Sequence, residues 1–211
     1  MPPLRRAPRR ARPARLADRL VEVAEEILAE QGIEALTLRA IARRAGVTHG
    51  APLRHYPSLA ALLSEVAARG FRSLFAAIEA AESSLPPGVG ARARLAAAAR
   101  AYVRCAVAQP DLFALMFRPE LLDVAAPAFV RDSQAAFDQL VRLVRAAQDE
   151  GWRTEQPTRR LAGAHWACVH GLATLWSQGA YQGVVRATSL DEALDTHLEL
   201  ILADPTPRST R

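Results

Sequence analysis

The sequence predicts an all-α protein: an N-terminal three-helix unit with a helix-turn-helix, joined to a larger C-terminal helical bundle. Three observations carry that expectation. Alanine is abundant and β-branched runs are scarce, which favours helix over sheet. Apolar residues recur at intervals of three and four, the period of a helix buried along one face. Glycine and proline mark the boundaries of these stretches, at Gly32, Gly46, Pro57, Pro110, Pro119, Pro127, Gly151 and Pro157. With 211 residues, half of them hydrophobic, the chain can bury a substantial core.

The first helix is expected from about Leu16 to Gln31, with Leu20, Val23, Ala24, Ile27 and Leu28 as its apolar stripe and Gly32 at its end. The stretch Thr37 to Tyr56 then reads as two short helices around a sharp turn. Leu38, Ile41 and Ala42 share one face of the first of these, opposite Arg39, Arg43 and Arg44, and Thr37 is placed to cap it. Gly46 supplies the left-handed residue that stops it, and Val47 returns to the core. Thr48 is expected to cap the second helix, which carries His49 early and Arg54 and His55 late, with Pro52 tolerated in its first turn. A helix-turn-helix lays its second helix in the major groove of DNA, so the candidate DNA-binding residues are Thr37, Arg39, Thr48, His49, Gly50, Arg54 and His55. The same spacing also occurs in plain helical proteins, where the arginines form only a solvated face.

Beyond Pro57, Ser58 can cap a long helix reaching about Glu82, with Leu59, Leu62, Leu63, Val66, Gly70, Leu74 and Ile78 at helical spacing. Ser83 to Gly90 is a loop. Helices follow over Ala91 to Gln109, Asp111 to Phe117, Pro127 to Glu150 and Pro157 to Gly179. The last runs from Leu190 to Leu202, behind a capping box of Ser189 and Glu192.

The order Glu30-Gln31-Gly32, Leu36-Thr37, Ile41-Ala42, Ala45-Gly46-Val47, Gly50 and Arg54-His55-Tyr56, followed by Pro57-Ser58, resembles the DNA-binding region of the tetracycline-repressor (TetR) family of bacterial transcription regulators. The likeness covers about Arg19 to Phe71. It departs at Leu53, where family members usually carry Tyr, and at Leu59, where they carry Lys; both are commonly phosphate contacts. The resemblance implies that tilting the bridging helix moves the DNA-reading helices when a distant ligand binds. Trp166 and His170-Gly171, four residues apart on one helix face, resemble a tryptophan and histidine-glycine (WHG-like) signature in the C-terminal domain of one branch of that family, as does Leu112 to Phe117.

Tyr102, Phe113, Met116, Phe117, Trp166 and His170 are the candidate ligand-binding residues, an apolar lining with few polar anchors. His170 has three candidate roles: a satisfied core histidine, a polar group in a small-molecule pocket, or a metal ligand. No carboxylate cluster accompanies it and His165 lies on another face, so no metal site is assigned. Hydrophobic uncharged or anionic inducers fit such a pocket. A homodimer is expected through the last two helices, with Leu161, Cys168, Leu172 and Leu175 packed with Leu194, Leu198 and Ile201 against a symmetry mate.

The formal charge is +5, and all 27 basic residues are arginine. Seven of them, from Arg5 to Arg19, lie at or before the start of the first helix, and such an arm is either a phosphate-binding element or a solvated tail. The expected organisation is a disordered basic arm over 1–13, a DNA-binding domain over 14–58, a ligand-binding and dimerisation domain over 59–203, and a disordered tail over 204–211. No apolar run reaches membrane-spanning length and no signal peptide is evident, so a cytoplasmic protein with no membrane partner is expected. Cys105 and Cys168 are expected as reduced core residues. No phosphate loop, nucleophile elbow or paired carboxylates are present, so neither an enzyme nor a cofactor is expected. The partners implied are double-stranded DNA carrying a near-palindromic operator, a small-molecule effector and a second copy of the chain. The alternatives are an effector-free architectural DNA binder and a helical bundle that has lost specific DNA binding.

Overall fold

A computed structural model describes residues 13–204; the arginine-rich arm and the tail from residue 205 lie outside the described residues. Among the described residues nine α-helices follow one another: α1 (Pro13–Gln31), α2 (Leu38–Arg44), α3 (Leu59–Ser83), α4 (Ala91–Ala108), α5 (Pro110–Met116), α6 (Pro127–Asp149), α7 (Thr158–Ser177), α8 (Ala180–Val185) and α9 (Leu190–Leu202). The same residues contain no strand, and none of these helices is long and apolar enough to cross a membrane.

Capping residues set the boundaries as the sequence predicts. Thr37 Oγ1 accepts from the Ala40 N–H at 3.1 Å, and Ser58 Oγ accepts from the Ala61 N–H at 3.1 Å. At α9 the expected capping pair, Ser189 and Glu192, is in place. Ser189 Oγ accepts from the Glu192 N–H, while the Glu192 carboxylate reaches one residue further back, to the backbone N–H and hydroxyl of Thr188. The short helix α8, set off from α7 by Gly179, carries no apolar stripe and was not expected from the sequence.

The core is one continuous hydrophobic cluster from Leu20 to Leu198. All five stripe residues of α1 are buried, as are Leu62, Leu63, Val66, Phe71, Leu74 and Ile78 of α3. With 25 residues, α3 extends about 38 Å at 1.5 Å per residue, packing on α1 near its start and on α4 and α6 beyond. Gly70 is where α3 meets α5. A Cβ there would stand 2.6 Å from Met116 Sδ, so the missing side chain is what lets the two helices approach.

The expected dimer surface is corrected by this packing. Leu172, Leu194 and Leu198 are buried at 2%, 1% and 4% exposure inside the single chain, because α9 lays its leucine stripe on its own α4 and α7. The stripe's partner is internal. Cys168, expected in the core, is exposed on α7, and Cys105 is half-buried.

Candidate nucleic-acid interface and ligand cavity

The segment between α2 and α3 differs from the expected second helix. Gly46 does end α2 in the left-handed region (φ 69°), and the Val47 N–H reaches back to the Ala42 carbonyl at 3.0 Å. From Thr48 onward, however, the chain forms turns and one 3-10 turn, Pro52–Arg54, rather than a capped α-helix. The cause is local. Pro52 has no N–H to donate to the Thr48 carbonyl, so that oxygen takes the Ala51 N–H at 2.9 Å and Arg54 bonds Ala51 at the same three-residue spacing; only at the end does a four-residue bond form, Tyr56 N–H to the Pro52 carbonyl at 2.9 Å, beside that of His55. Thr48 therefore acts through its backbone, not as a side-chain cap.

The turn presents its polar groups outward. Thr48, His49, Gly50 and Arg54 are exposed, His55 is half-buried, and Pro52 is buried beneath them. On α2, Thr37 and Arg39 are exposed. Among the described residues Arg39, Arg43 and Arg54 enter no ion pair, whereas Arg44 is tied to Glu30 and Glu26 of α1. The expected arginine face of α2 thus divides into free cations and one internal strut. Tyr56 donates its hydroxyl to the Ala17 carbonyl at 3.4 Å, holding the end of the turn to α1. Leu53 is 51% exposed, an apolar side chain among cations. Leu59 packs against the core.

A cavity of about 170 Å³ lies among α3, α4, α6 and α7. Phe71, Leu74 and Ile78 of α3 wall one side; Ala98, Ala99 and Tyr102 of α4, Phe137 and Leu140 of α6, and His165, Trp166 and Val169 of α7 complete it with Phe117. Among the described residues no charged side chain lines it. Of the six residues singled out in the sequence, it contains Tyr102, Phe117 and Trp166.

Phe113, Met116 and His170 stand behind the wall rather than in it. Met116 is occupied against Gly70. His170 sits about 40° further round α7 than Trp166, away from the cavity, with the Phe113 and Phe117 rings 5.2 and 4.6 Å from its own. Its Nδ1 is hydrogen-bonded to the Tyr102 hydroxyl at 2.8 Å, and that hydroxyl accepts from the Trp166 Nε1–H at 3.0 Å. The four-residue spacing of Trp166 and His170 has a physical reason: both engage one tyrosine on α4. Burial favours the neutral imidazole of His170 by lowering its pKa. Burial likewise pushes the Tyr102 phenol well up, so it stays protonated. His170 is thus packed against rings and hydrogen-bonded to Tyr102 outside the cavity lining.

His165, which does not share a helix face with His170 and so does not pair with it as a metal ligand, lines the cavity and is 6% exposed. Its Nε2 has no hydrogen-bond partner. Burial, with a smaller contribution from His197, lowers its pKa to about 4. The wall from α3 and α6 was also missed as a site; Phe71, Leu74, Phe137 and Leu140 read in sequence as core stripe, and nothing distinguishes a residue beside a void from one beside another side chain. The cavity is tied to α3 by charge as well as packing. Asp132, 7% exposed and next to the lining residue Ser133, binds Arg72 of α3 and Arg131. Burial raises its pKa, but the arginines outweigh that and hold it lowered. No three histidine, cysteine, aspartate or glutamate side chains among the described residues are grouped to hold a metal.

Residues 20–66 match the profile of bacterial regulatory proteins of the tetR family, and residues 95–201 match that of the tetracyclin repressor-like C-terminal domain. The chain is similar to the structure of a protein of unknown function from Rhodococcus sp. RHA1, at 34% identity over 89% of this chain and 93% of that one, with a TM-score of 0.75. It shares its fold with the fatty acid degradation regulator FadR of Bacillus halodurans (16% identity, 92% and 97% of the chains, TM-score 0.68). The same holds for the TetR family regulator PfmR of Thermus thermophilus (19%, 88% and 97%, TM-score 0.63). No curated protein gives a significant sequence match.

Proposed function

The chain belongs to the TetR family of bacterial transcription regulators, and from that premise we propose that it is a dimeric repressor released from a near-palindromic operator by a small hydrophobic molecule. The observation that carries the reading is that one helix, α3, begins against the DNA-reading unit and ends as a wall of an uncharged cavity. An occupant that pushes on Phe71, Leu74 or Ile78 acts on the element that positions the turn at Thr48 to Arg54. A ligand favouring the DNA-incompetent state by about 1 to 3 kcal/mol gives useful release.

In this reading Thr37, Arg39, Thr48, His49, Gly50, Arg54 and His55 face the groove, and the arm over 1–13 adds phosphate affinity. Dimerisation through the outward sides of α7 and α9 supplies two half-sites about 34 Å, or a multiple, apart. Leu175 and Leu200, 45% and 71% exposed, are apolar side chains available there. Selection from randomised duplexes by the purified protein tests the proposal: the enriched site should be twofold symmetric. Arg54→Ala should weaken binding to it, and His49→Ala should relax base choice, each by about 1 to 3 kcal/mol. Absence of any enriched sequence overturns the reading.

A further inference from the structure

We propose that the cavity takes a neutral, single-ring aromatic molecule bearing one hydroxyl group, with the His165 imidazole as its polar anchor. The inference rests on the reading of this cavity as the effector site and narrows it to a chemical class.

Size comes first. A volume of about 170 Å³ is slightly more than the ~150 Å³ of an engineered apolar cavity that holds one benzene ring. A ring with one or two small substituents fills it. The walls suit a ring too: Phe71, Tyr102, Phe117, Phe137 and Trp166 offer aromatic edges and faces, which pair with another aromatic in edge-to-face or offset arrangements.

Charge is decided by what is missing from the lining. No arginine, aspartate or glutamate among the described residues is there to pair with an ion, and an unpaired ion in an apolar cavity carries a large desolvation cost. An anion would have to protonate His165, a group whose pKa of about 4 makes the charged form about a thousandfold disfavoured at pH 7.

The polar anchor follows from which lining groups are already occupied. The Tyr102 hydroxyl is hydrogen-bonded to His170 Nδ1 and accepts from Trp166, and Ser133 Oγ donates to the Val130 carbonyl at 3.3 Å. Among the described residues His165 is the polar lining side chain that makes no hydrogen bond within the protein, and it is more than nine-tenths buried. A neutral imidazole nitrogen is either a donor or an acceptor, and a hydroxyl group satisfies both cases.

Calorimetric titration of the full chain with 4-methylphenol, toluene, 4-methylbenzoate and 4-methylbenzylamine tests the assignment. 4-Methylphenol should bind at least about tenfold more tightly than toluene, the worth of one good hydrogen bond, and the two ions at least about a hundredfold more weakly than 4-methylphenol. In His165→Phe, toluene should bind within about twofold of wild type, demonstrating an intact cavity, while the advantage of 4-methylphenol disappears. Either ion matching 4-methylphenol, an advantage that survives in His165→Phe, or no binding of any probe overturns the assignment. Sequence-specific DNA binding with no probe bound would overturn the cavity chemistry alone. Binding of 4-methylphenol without any effect on DNA affinity would overturn ligand release and leave the cavity assignment standing.

Discussion

The Tyr102 hydroxyl joins two helices through one oxygen, hydrogen-bonded to His170 Nδ1 and accepting from the Trp166 Nε1–H. Tyr102→Phe removes the shared partner of the Trp166 Nε1–H and His170 Nδ1, both on partly exposed side chains, and should cost about 0.5 to 1.5 kcal/mol in urea unfolding. Sequence spacing made it legible that Trp166 and His170 share a face, but not that their common partner lies 64 residues upstream of Trp166, because a long-range pairing leaves no local period. His165 gives a second prediction. Its folded pKa of about 4 lies below the usual 6.5, so between those values the unfolded chain binds more protons. Stability is therefore full above pH 6.5 and falls as the pH drops toward 4, by about 3 kcal/mol from this residue at 1.36 kcal/mol per unit. His170 and His197 shift in the same direction. Denaturant unfolding from about pH 7 to 4.5 should show a shallower loss for His165→Phe than for the parent.

At the scale of elements, what the sequence made legible was decided locally. Thr37, Ser58 and Ser189 cap where their spacing predicts, and helix boundaries fall within a few residues of proline and glycine signals. Gly46 illustrates a purely conformational requirement: its φ is 69°, yet a Cβ there meets nothing within 4 Å. Gly46→Ala should cost about 1 kcal/mol in thermal unfolding through backbone strain alone, and Gly46→Asn less, since Asn tolerates the left-handed region. The second motif element forms where the sequence places it, but as a 3-10 turn rather than an α-helix, because Pro52 falls where an α-helix needs an N–H for the Thr48 carbonyl. The missing N–H leaves Thr48 to Arg54 on three-residue bonds. Pro52→Ala should restore a donor to the Thr48 carbonyl and extend helix there, read as slower amide exchange at residues 52 to 55.

Across the whole molecule, the direction of an apolar stripe is what a single sequence leaves open. Leu194 and Leu198 repeat at helical spacing whether they face a symmetry mate or their own chain, and here they face α4 and α7. Leu198→Arg buries an unpaired charge and should lower the melting temperature sharply rather than yield folded monomers. Leu175→Arg, at an exposed position, should leave helix content intact and shift the sedimentation coefficient to that of a monomer. The cavity was legible as an apolar place with few polar anchors, and three of its six expected residues line it; its other walls come from helices whose mutual packing no local pattern encodes. Sequence-specific reading of DNA by the exposed turn after α2 is the claim on which the rest depends. It is tested most directly by the anisotropy of a labelled selected duplex competed with unlabelled selected and scrambled duplexes at about 150 mM salt. The selected duplex should compete at least about a thousandfold better than the scrambled one; equal competition by the two would contradict the account.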